Sequence, residues 1–540
     1  MNKITSDYDA LIPAWYLEQH KVLGTTTSHL HFLPCVGDCY QHGKINPEHS
    51  KTYDNRIALN DTAIFIGVLI LSNPSIAQKL APQYHKFLLW VNPKEAEQFS
   101  DNKGCDHRVE LLGPDDQLRI GPIYQLSQKE EKLFVKYHDT MNKEGNLRPS
   151  SSMIGSSILF VPKANGSGLC SCIDYSHLND YMKKDRTLLP TTEELSAQVQ
   201  RAKHITKVNL KSGFYLIRMA LGHEKYTALH IKFALFKYMV MPFGLRNTPA
   251  TLQREIHRIL RPLSGLELVI NPEIYPDEDE RMVAAAYIDD KLIATRESLD
   301  KHHRQVSKVF QLQMDNNICI EIDKCVFDVS KTRFVGFMVS NMGLWMDPEK
   351  ARAIVDRPKP TLRNEFQQLW GLWNVYRRFI YNFSAILSPI NDLLRHETRF
   401  NLSEVQEVAF FKIMVVFTFG KTPILRHSDP DRPGLLETDG SDFAIEAILS
   451  QKLEDSKIHP VRFISKKLNP AESNDNDYNK EMLDVVFGLS KNRHYLQGAV
   501  HKTICFSDHQ NLMYFQSAEL LNGRQTRWVE QLNQQNFVQI

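Results

Sequence analysis

Two adjacent aspartates, Asp289 and Asp290, end an apolar stretch with the sequence Tyr-Ile-Asp-Asp that begins at Tyr287. Apolar runs flank the pair on both sides, which predicts a strand, an acidic turn and a second strand. Two carboxylates at one hairpin tip repel each other unless cations lie between them. Two divalent metals about 4 Å apart are the apparatus of phosphoryl transfer, so the pair is a candidate metal site. A solvated acidic turn is the alternative, and for an Asp-Asp pair alone it is favoured.

The composition bounds the kind of protein that carries this pair. A chain of 540 residues is too long for one hydrophobic core, which predicts three or more domains. The net charge of +2 means that a nucleic-acid partner would need a local basic groove. The start of the chain lacks the layout of a signal peptide, and the longest apolar run, 63–71, is too short to cross a bilayer. The eight cysteines are scattered, which favours a reducing compartment.

Short β-type runs and amphipathic stretches surround the acidic pair. Runs bounded by Gly, Ser, Asn or Lys predict strands. The predicted strands are 157–161, 172–175, 205–210, 282–287, 292–295, 435–438 and 444–449. Apolar positions near a 3.6-residue period predict helical structure over 362–395, and 481–489 has the pattern of an amphipathic helix.

Four further blocks stand in order around the Tyr-Ile-Asp-Asp block. They are CIDYSHLND (172–180), ITKVNLKSGFYLIRM (205–219), MPFGLRNTPATLQ (241–253) and FVGFMVSNMGL (334–344). In this order and spacing, the five blocks resemble the reverse transcriptase of gypsy-type LTR retrotransposons. The resemblance covers the chain from about residue 80 to its end.

Segments outside the polymerase blocks resemble other parts of the same polyprotein. Residues 8–23 are similar to the last part of a retroviral-type aspartic protease, but no Asp-Thr/Ser-Gly turn is present, so protease activity is not expected. Residues 437–451, 478–498 and 506–512 resemble the element's RNase H. That match would make Asp439, Glu481 and Asp508 ligands of the metals that hydrolyse the RNA strand of a hybrid. Each acid alone would be interpreted as a surface carboxylate, and only their occurrence in family order favours the catalytic role.

In such polymerases three carboxylates hold two metal ions. Asp289 and Asp290 supply two of them, and the third position, an Asp in the family, is Asn209 here. An amide offers one neutral carbonyl oxygen and cannot bridge two cations as a carboxylate does. Losing a unit charge about 4 Å from a cation costs on the order of 4 kcal/mol at an effective dielectric near 20, or roughly a thousandfold in rate. The resemblance therefore implies weak or absent DNA synthesis.

Other positions match roles known in the family, but each also has an ordinary structural interpretation. Phe214 matches the bulky residue that blocks a ribose 2′-hydroxyl, and a core aromatic is its alternative role. Lys163 would reach the incoming phosphates as a flexible charge, or be a solvated loop lysine. Phe334, Val335 and Gly336 match the hairpin that grips the primer end, although any strand end could have this sequence.

Further departures from the family accumulate. Lys291 replaces an apolar residue after the acidic pair, and Glu446 replaces a glycine within an RNase H strand. The chain stops at Ile540, before the family's final RNase H segment and its fourth acidic residue. These departures favour a decayed copy.

The resemblance implies an α+β fold: a right-hand polymerase with fingers, palm, thumb and connection, followed by a C-terminally truncated RNase H-like α/β domain. The palm sheet is expected to be antiparallel, with Asn209, Asp289 and Asp290 adjacent. The predicted parts are a protease remnant (1–45), a linker or connector (46–124), fingers and palm (125–345), thumb and connection (346–428) and the RNase H-like domain (429–540).

The implied function is RNA-directed DNA polymerase with RNase H, using two Mg²⁺ (or Mn²⁺) ions at each active site. The implied partners are an RNA template, an RNA–DNA hybrid and deoxynucleoside triphosphates, with no membrane partner and the oligomeric state open. An intracellular location is expected, cytoplasmic or nuclear and particle-associated for an intact element, with a mitochondrial location left open. The alternatives are a catalytically dead nucleic-acid-binding protein or a decayed element-derived product that barely folds.

Overall fold

The structure is a computed structural model. It describes residues 22–25, 29–32, 74–91, 105–162, 168–191, 194–195, 199–232, 234–263, 283–394, 400–418, 422–507 and 522–539. Two compact units, Met1–Ser72 and Asn73–Ile540, divide the chain. In the first unit, Val22–Thr25 (β1) and His29–Phe32 (β2) pair antiparallel. The rest of the predicted protease remnant, 1–45, lies outside the described residues.

The second unit contains all the remaining elements. Its strands are Leu147–Pro149 (β3), Ser156–Pro162 (β4), Leu169–Asp174 (β5), His204–Asn209 (β6), Leu229–Ile231 (β7), Ala234–Tyr238 (β8), Val283–Tyr287 (β9), Asp290–Thr295 (β10), Val326–Val329 (β11), Lys331–Phe334 (β12), Phe337–Ser340 (β13), Gly343–Met346 (β14), Gly434–Gly440 (β15), Ala444–Lys452 (β16), Ile458–Lys467 (β17), Thr503–Phe506 (β18) and Phe537–Gln539 (β19). Its α-helices are Pro74–Lys79 (α1), Leu88–Val91 (α2), Gln128–Lys143 (α3), Ser176–Tyr181 (α4), Thr248–Leu260 (α5), Leu299–Asp315 (α6), Pro348–Val355 (α7), Arg363–Val375 (α8), Phe383–Leu387 (α9), Glu404–Thr418 (α10), Pro470–Ser473 (α11), Asp477–Lys491 (α12), Arg493–Leu496 (α13) and Gly523–Asn533 (α14).

A five-stranded sheet of order β3-β8-β7-β4-β5 lies beside α3. The helix begins at a capping box, in which the Ser127 side chain accepts from the backbone N–H of Glu130 and the Glu130 carboxylate accepts from the backbone N–H of Ser127. Phe134 and Met141 on the helix pack against a buried cluster that includes Ile158 on β4. Burial of this apolar face fixes the helix on the sheet.

A four-stranded antiparallel sheet of order β11-β6-β10-β9 forms the palm. Helices α5 and α6 pack against β9 and β10. The register pairs Asn209 at the end of β6 with Asp290 at the start of β10, and Asp290 with Tyr287. The predicted antiparallel sheet with adjacent Asn209, Asp289 and Asp290 is confirmed.

A three-stranded sheet, β12-β13-β14, follows the palm, and helices α7 to α10 follow that sheet. The stretch predicted to be helical over 362–395 is not one helix: α8 ends at Val375, and α9 starts only at Phe383. Asn382, which precedes α9, has a left-handed φ of 54° that interrupts the helical backbone. Trp373 and Phe366 on α8 lie in a buried cluster that also includes Leu292 of the palm.

The last sheet in chain order has five strands in the order β17-β16-β15-β18-β19. β15 pairs antiparallel with β16 and parallel with β18, so the sheet is mixed. Helix α12 packs on one face through Met482, Val485 and Leu489, which are buried with Leu436 and Leu449 of the sheet. No described helix is long and apolar enough to cross a membrane.

Candidate active sites

Asn209 and Asp290 form the centre of the palm site. They stand directly opposite each other on β6 and β10, so their side chains share one face of the sheet. The Asn209 amide donates from Nδ2 to Oδ1 of Asp290 at 2.7 Å. The amide therefore presents a hydrogen-bond donor, and not an additional anionic ligand, to the neighbouring carboxylate.

Lys207 occupies the second oxygen of the same carboxylate. It lies two residues before Asn209 on β6 and therefore points to the same face. Its Nζ lies 3.1 Å from Oδ2 of Asp290. Both oxygens of Asp290 are thus engaged by donors from one strand.

Asp289 sits in the turn between β9 and β10. Its Oδ1 is buried and has no hydrogen-bond partner in the part of the chain that the structure describes. Burial raises the pKa of Asp289, although the positive charge of Lys291 opposes the shift. Gly213 packs against this carboxylate so closely that a Cβ at position 213 would overlap Oδ1. A side chain at position 213 would therefore require the Asp289 carboxylate to move.

Lys291 is buried behind the acidic turn, with only 1% of its surface exposed. Its Nζ has no hydrogen-bond partner among the described residues. Burial lowers the pKa of Lys291 to about 7, and the charge of Asp289 opposes this change. When protonated, Lys291 attracts the Asp289 carboxylate from behind the turn.

Gln253, the last residue of the MPFGLRNTPATLQ block, is fully buried on α5 and holds the acidic turn. Its Oε1 accepts from the backbone N–H of Ile288 at 2.7 Å, and its Nε2 donates to the carbonyl of Ala286 at 2.9 Å. Ile288 has a φ of 52°, which is unfavourable for a β-branched residue. Sequence reasoning missed this role, since only the position of Gln253 at the end of a motif signals it.

The remaining predicted polymerase residues are placed unevenly. Phe214 is largely buried and meets the ring of half-exposed Phe243 edge-on at 4.7 Å between centroids. Its predicted role as a 2′-hydroxyl block remains untested, and its packing equally fits the core alternative. Lys163 lies outside the described residues.

The predicted primer hairpin is present as a turn. Phe334, which ends β12, is buried, and Val335 and Gly336 connect it to β13 with φ values of 48° and 81°. Two successive positive φ values mark the turn type that suits a tight hairpin. Tyr376 donates from its hydroxyl to the carbonyl of Gly336 at 3.1 Å, which ties the turn to the helices that follow.

The second acidic site lies on β15 and β16. Asp439 is exposed and stands directly opposite Glu446. Glu481 lies on α12, which packs on β15, while Asp508 lies outside the described residues. Within the ranges that the structure describes, no group of three or more His, Cys, Asp or Glu side chains is arranged to hold a metal. The predicted triad of Asp439, Glu481 and Asp508 stays a prediction, because Asp508 is not among the residues that the structure describes.

Glu446 is buried at the junction between this sheet and the preceding helices. Burial raises its pKa to about 8, although a hydrogen bond from the Asn382 backbone N–H and the charge of Arg377 act in the opposite direction. Its Oε1 has no partner among the residues described. A carboxylate oxygen buried without a partner is costly, so this position requires an explanation.

Two families of known domains match the chain. Residues 161–339 match the family described as reverse transcriptase (RNA-dependent DNA polymerase). Residues 429–535 match the RNase H-like domain found in reverse transcriptase. The chain contains a reverse transcriptase domain and an RNase H-like domain.

Related sequences and structures agree with these domains. The Tf2-3 and Tf2-7 transposon polyproteins of Schizosaccharomyces pombe are each 33% identical over 440 residues, or 81% of this chain. The chain spans about a third of the length of these relatives, 31%. A foamy viral protease-reverse transcriptase in complex with dsDNA has a TM-score of 0.70 at 18% identity, covering 88% of this chain and 96% of that one. The same kind of protein with an RNA/DNA hybrid has a TM-score of 0.66, also at 18% identity, covering 88% and 62%.

The reverse transcriptase domain does not fit a pair of metal ions. Two-metal transfer needs carboxylates that bridge the cations. Here one of three positions is the amide of Asn209, and both oxygens of Asp290 already accept from nitrogen donors. Only the unpartnered Oδ1 of Asp289 has the character of a cation ligand.

The RNase H-like domain does fit a cation. Asp439 is accessible, and the buried, unpartnered Oε1 of Glu446 belongs to the residue directly across the sheet. Hard divalent cations prefer carboxylate oxygens of this kind. This site thus offers two neighbouring carboxylates, whereas the palm offers an amide at one of its three positions.

Proposed function

We propose that this chain binds primer–template duplexes and RNA/DNA hybrids but carries out little or no DNA synthesis. The observation that carries the proposal is the 2.7 Å hydrogen bond from the Asn209 amide to Asp290. The Asn209 amide thus places a neutral donor where nucleotidyl transfer needs the negative charge of a third carboxylate.

Electrostatics supports the loss of catalysis. The palm face presents the Asp290 carboxylate beside the ammonium group of Lys207, 3.1 Å away, and the Asn209 amide, while Lys291 is buried behind the acidic turn. A metal ion would have to displace Lys207 and the Asn209 amide to reach the Asp290 oxygens. The charge missing at position 209 is worth on the order of 4 kcal/mol at an effective dielectric near 20.

Binding of nucleic acid is supported by parts of the fold that the substitutions leave intact. The hairpin turn at Val335 and Gly336 has two positive φ values and is tied to Tyr376. The similar foamy viral structures are described as complexes with dsDNA and with an RNA/DNA hybrid. Duplex recognition of this type acts through backbone and shape, and does not need the metal site.

The RNase H-like domain would hold a divalent cation through Asp439, joined by Glu481 and Asp508 if the family pattern applies. Such a cation polarises a phosphodiester and activates a water molecule. Glu437 and Asp439 keep the rim of this site negative, so substrate phosphates would approach it only with a cation in place.

The remaining parts of the proposal rest on the sequence alone. Residues 1–45 would be the end of an aspartic protease, and 46–124 a connector to the polymerase. The boundaries at 345 and 428, deoxynucleoside triphosphates as ligands, and an intracellular location, cytoplasmic or nuclear, are proposed on the same basis.

The experiment combines equilibrium binding with primer extension under one set of conditions. Fluorescence anisotropy of a labelled RNA/DNA hybrid should show binding that weakens as salt increases, since phosphate contacts release counterions. Primer extension with Mg²⁺ or Mn²⁺ should give no product at protein concentrations that saturate the duplex. Efficient extension would contradict the catalytic part of the proposal, and absence of salt-sensitive binding would contradict the binding part.

A further inference from the structure

A cleft of about 520 Å³ lies on the face of the RNase H-like sheet that carries Asp439. Glu437, Asp439 and Glu446 line it together with aromatic and aliphatic side chains. Tyr381, which precedes the RNase H-like domain in sequence, lines the same cleft. The site is therefore built from two parts of the chain.

Asp439 and Glu446 face each other across β15 and β16. Directly opposite residues of antiparallel strands have Cβ atoms about 4.5–5.5 Å apart and point to the same side. Two ionised carboxylates in this arrangement repel each other. A cation between the two carboxylates would favour their ionised form.

Glu446 is the second, independent indication of a ligand. Its side chain is 3% exposed, yet its Oε1 lacks any hydrogen-bond partner within the described ranges. The guanidinium of Arg377 lies nearby and donates from Nη2 to the carbonyl of Ser465. A buried carboxylate oxygen that lines a cleft and remains unsatisfied is suited to a cation supplied from solution.

We propose that Glu446 and Asp439 together ligate one divalent cation in this cleft, with water completing its coordination. Two protein carboxylates and several waters are the usual environment of Mg²⁺ in proteins. The position of Glu446 is thus a ligand position gained by this chain. The inference rests on the RNase H-like part of the proposed function, but not on hydrolysis, because cation binding can be measured directly.

A purely structural role for Glu446 makes a different prediction. Its carboxylate accepts from the backbone N–H of Asn382, so it also joins the sheet to the helices before it. If that contact were its whole role, replacing Glu446 would lower stability and leave cation affinity unchanged.

The test is a titration of the full chain with Mn²⁺, with free Mn²⁺ followed by electron paramagnetic resonance. Asp289→Asn/Asp290→Asn is used as the background so that the palm carboxylates do not contribute. In this background Glu446→Gln and Asp439→Asn are each expected to weaken Mn²⁺ binding about tenfold or more, the scale on which altered metal surroundings act. Glu454→Gln is the matched control, because Glu454 is a highly exposed acid of the same domain paired with Arg432.

Unchanged Mn²⁺ affinity in Glu446→Gln would overturn the proposal, as would a background protein that binds no Mn²⁺. If Glu446→Gln does not fold, Glu446→Asp keeps the charge on a shorter side chain and is expected to weaken binding in the same direction. Hybrid affinity of the background protein, measured without divalent cations, reports nucleic-acid binding separately. A failure of the cation site is therefore distinguishable from a failure of nucleic-acid binding.

Discussion

The Asn209 amide donates a 2.7 Å hydrogen bond to Oδ1 of Asp290 across neighbouring palm strands. Asn209 stands at a position where the family has an aspartate, 81 residues before Asp290 in the sequence. In the structure the Asn209 amide also bonds the carboxylate of Asp290. Asn209 therefore removes one metal ligand and engages a second, so its effect exceeds the loss of one charge.

Gln253 is predicted to hold the acidic turn in place. Gln253→Leu would leave the Ile288 N–H and the Ala286 carbonyl without their side-chain partner, and is expected to lower the free energy of unfolding by about 3 kcal/mol. Gln311→Leu is the control, because Gln311 is exposed and bonds Asp315 on its own helix. Urea unfolding measures the loss of stability in both variants. Equal losses would show that Gln253 does not hold the acidic turn.

Lys291 is predicted to destabilise the palm. Replacing its buried ammonium by an apolar side chain, as in Lys291→Ile, should raise the free energy of unfolding by about 2 kcal/mol at pH 7, since the desolvation cost disappears. Urea titration of the variant against the wild type measures this. A less stable variant would mean that attraction between Lys291 and Asp289 outweighs the cost of burial.

Gly440 and Asp484 are predicted to be energetically coupled. The Asp484 carboxylate occupies the space that a Cβ at position 440 would need. Gly440→Ala should therefore cost about 2 kcal/mol of stability through overpacking, and Asp484→Ala should recover most of that loss in the double variant. Gly523→Ala, where a Cβ meets open space, should be close to neutral. Simple additivity in a double-mutant cycle would refute the coupling.

His302 is predicted to make the palm sensitive to acid. Both ring nitrogens are bonded, Nε2 to Thr206 at 2.8 Å and Nδ1 to Thr295 at 2.9 Å, and burial lowers the pKa to about 4. The other titratable groups near it are His204, His303 and Asp328.

Because the folded pKa of His302 lies below its unfolded value, the stability it contributes is present above pH 6.5 and lost as the pH falls towards 4. Between pH 7 and pH 5 the wild type should lose about 2 kcal/mol more than His302→Gln. Urea unfolding at the two pH values measures the difference. Parallel losses would show that His302 is not the titrating group.

Sequence patterns predicted the parts of this molecule that depend on local order. The strand ending at Asn209, the strand beginning at Asp290 and their adjacency follow from runs of apolar residues and from motif order. The break in the region predicted to be helical was missed, because a left-handed Asn382 has no periodic signature. Contacts between distant segments were also missed: the position of Gln253 at the end of a motif marks it, but does not indicate that it bonds the turn at Ile288.

Glu446 is a second residue whose contacts could not be predicted from the sequence. Its departure from the family glycine is visible in the sequence. Its partners are Asn382, in another part of the chain, and Asp439 across the sheet, and only the fold brings them together. In the sequence, Glu446 in place of the family glycine indicates a decayed copy. In the structure, the same residue has a specific physical environment.

The most direct test of the account is primer extension on an RNA template, comparing the wild type with Asn209→Asp at equal occupancy of the duplex. Asn209→Asp/Asp290→Asn serves as a control that lacks a palm carboxylate. Asn209→Asp is expected to incorporate nucleotides roughly a thousandfold or more faster than the wild type, in keeping with about 4 kcal/mol for the restored charge alone. Extension by the wild type at the rate of Asn209→Asp would contradict the central claim that the Asn209–Asp290 pair disables the palm.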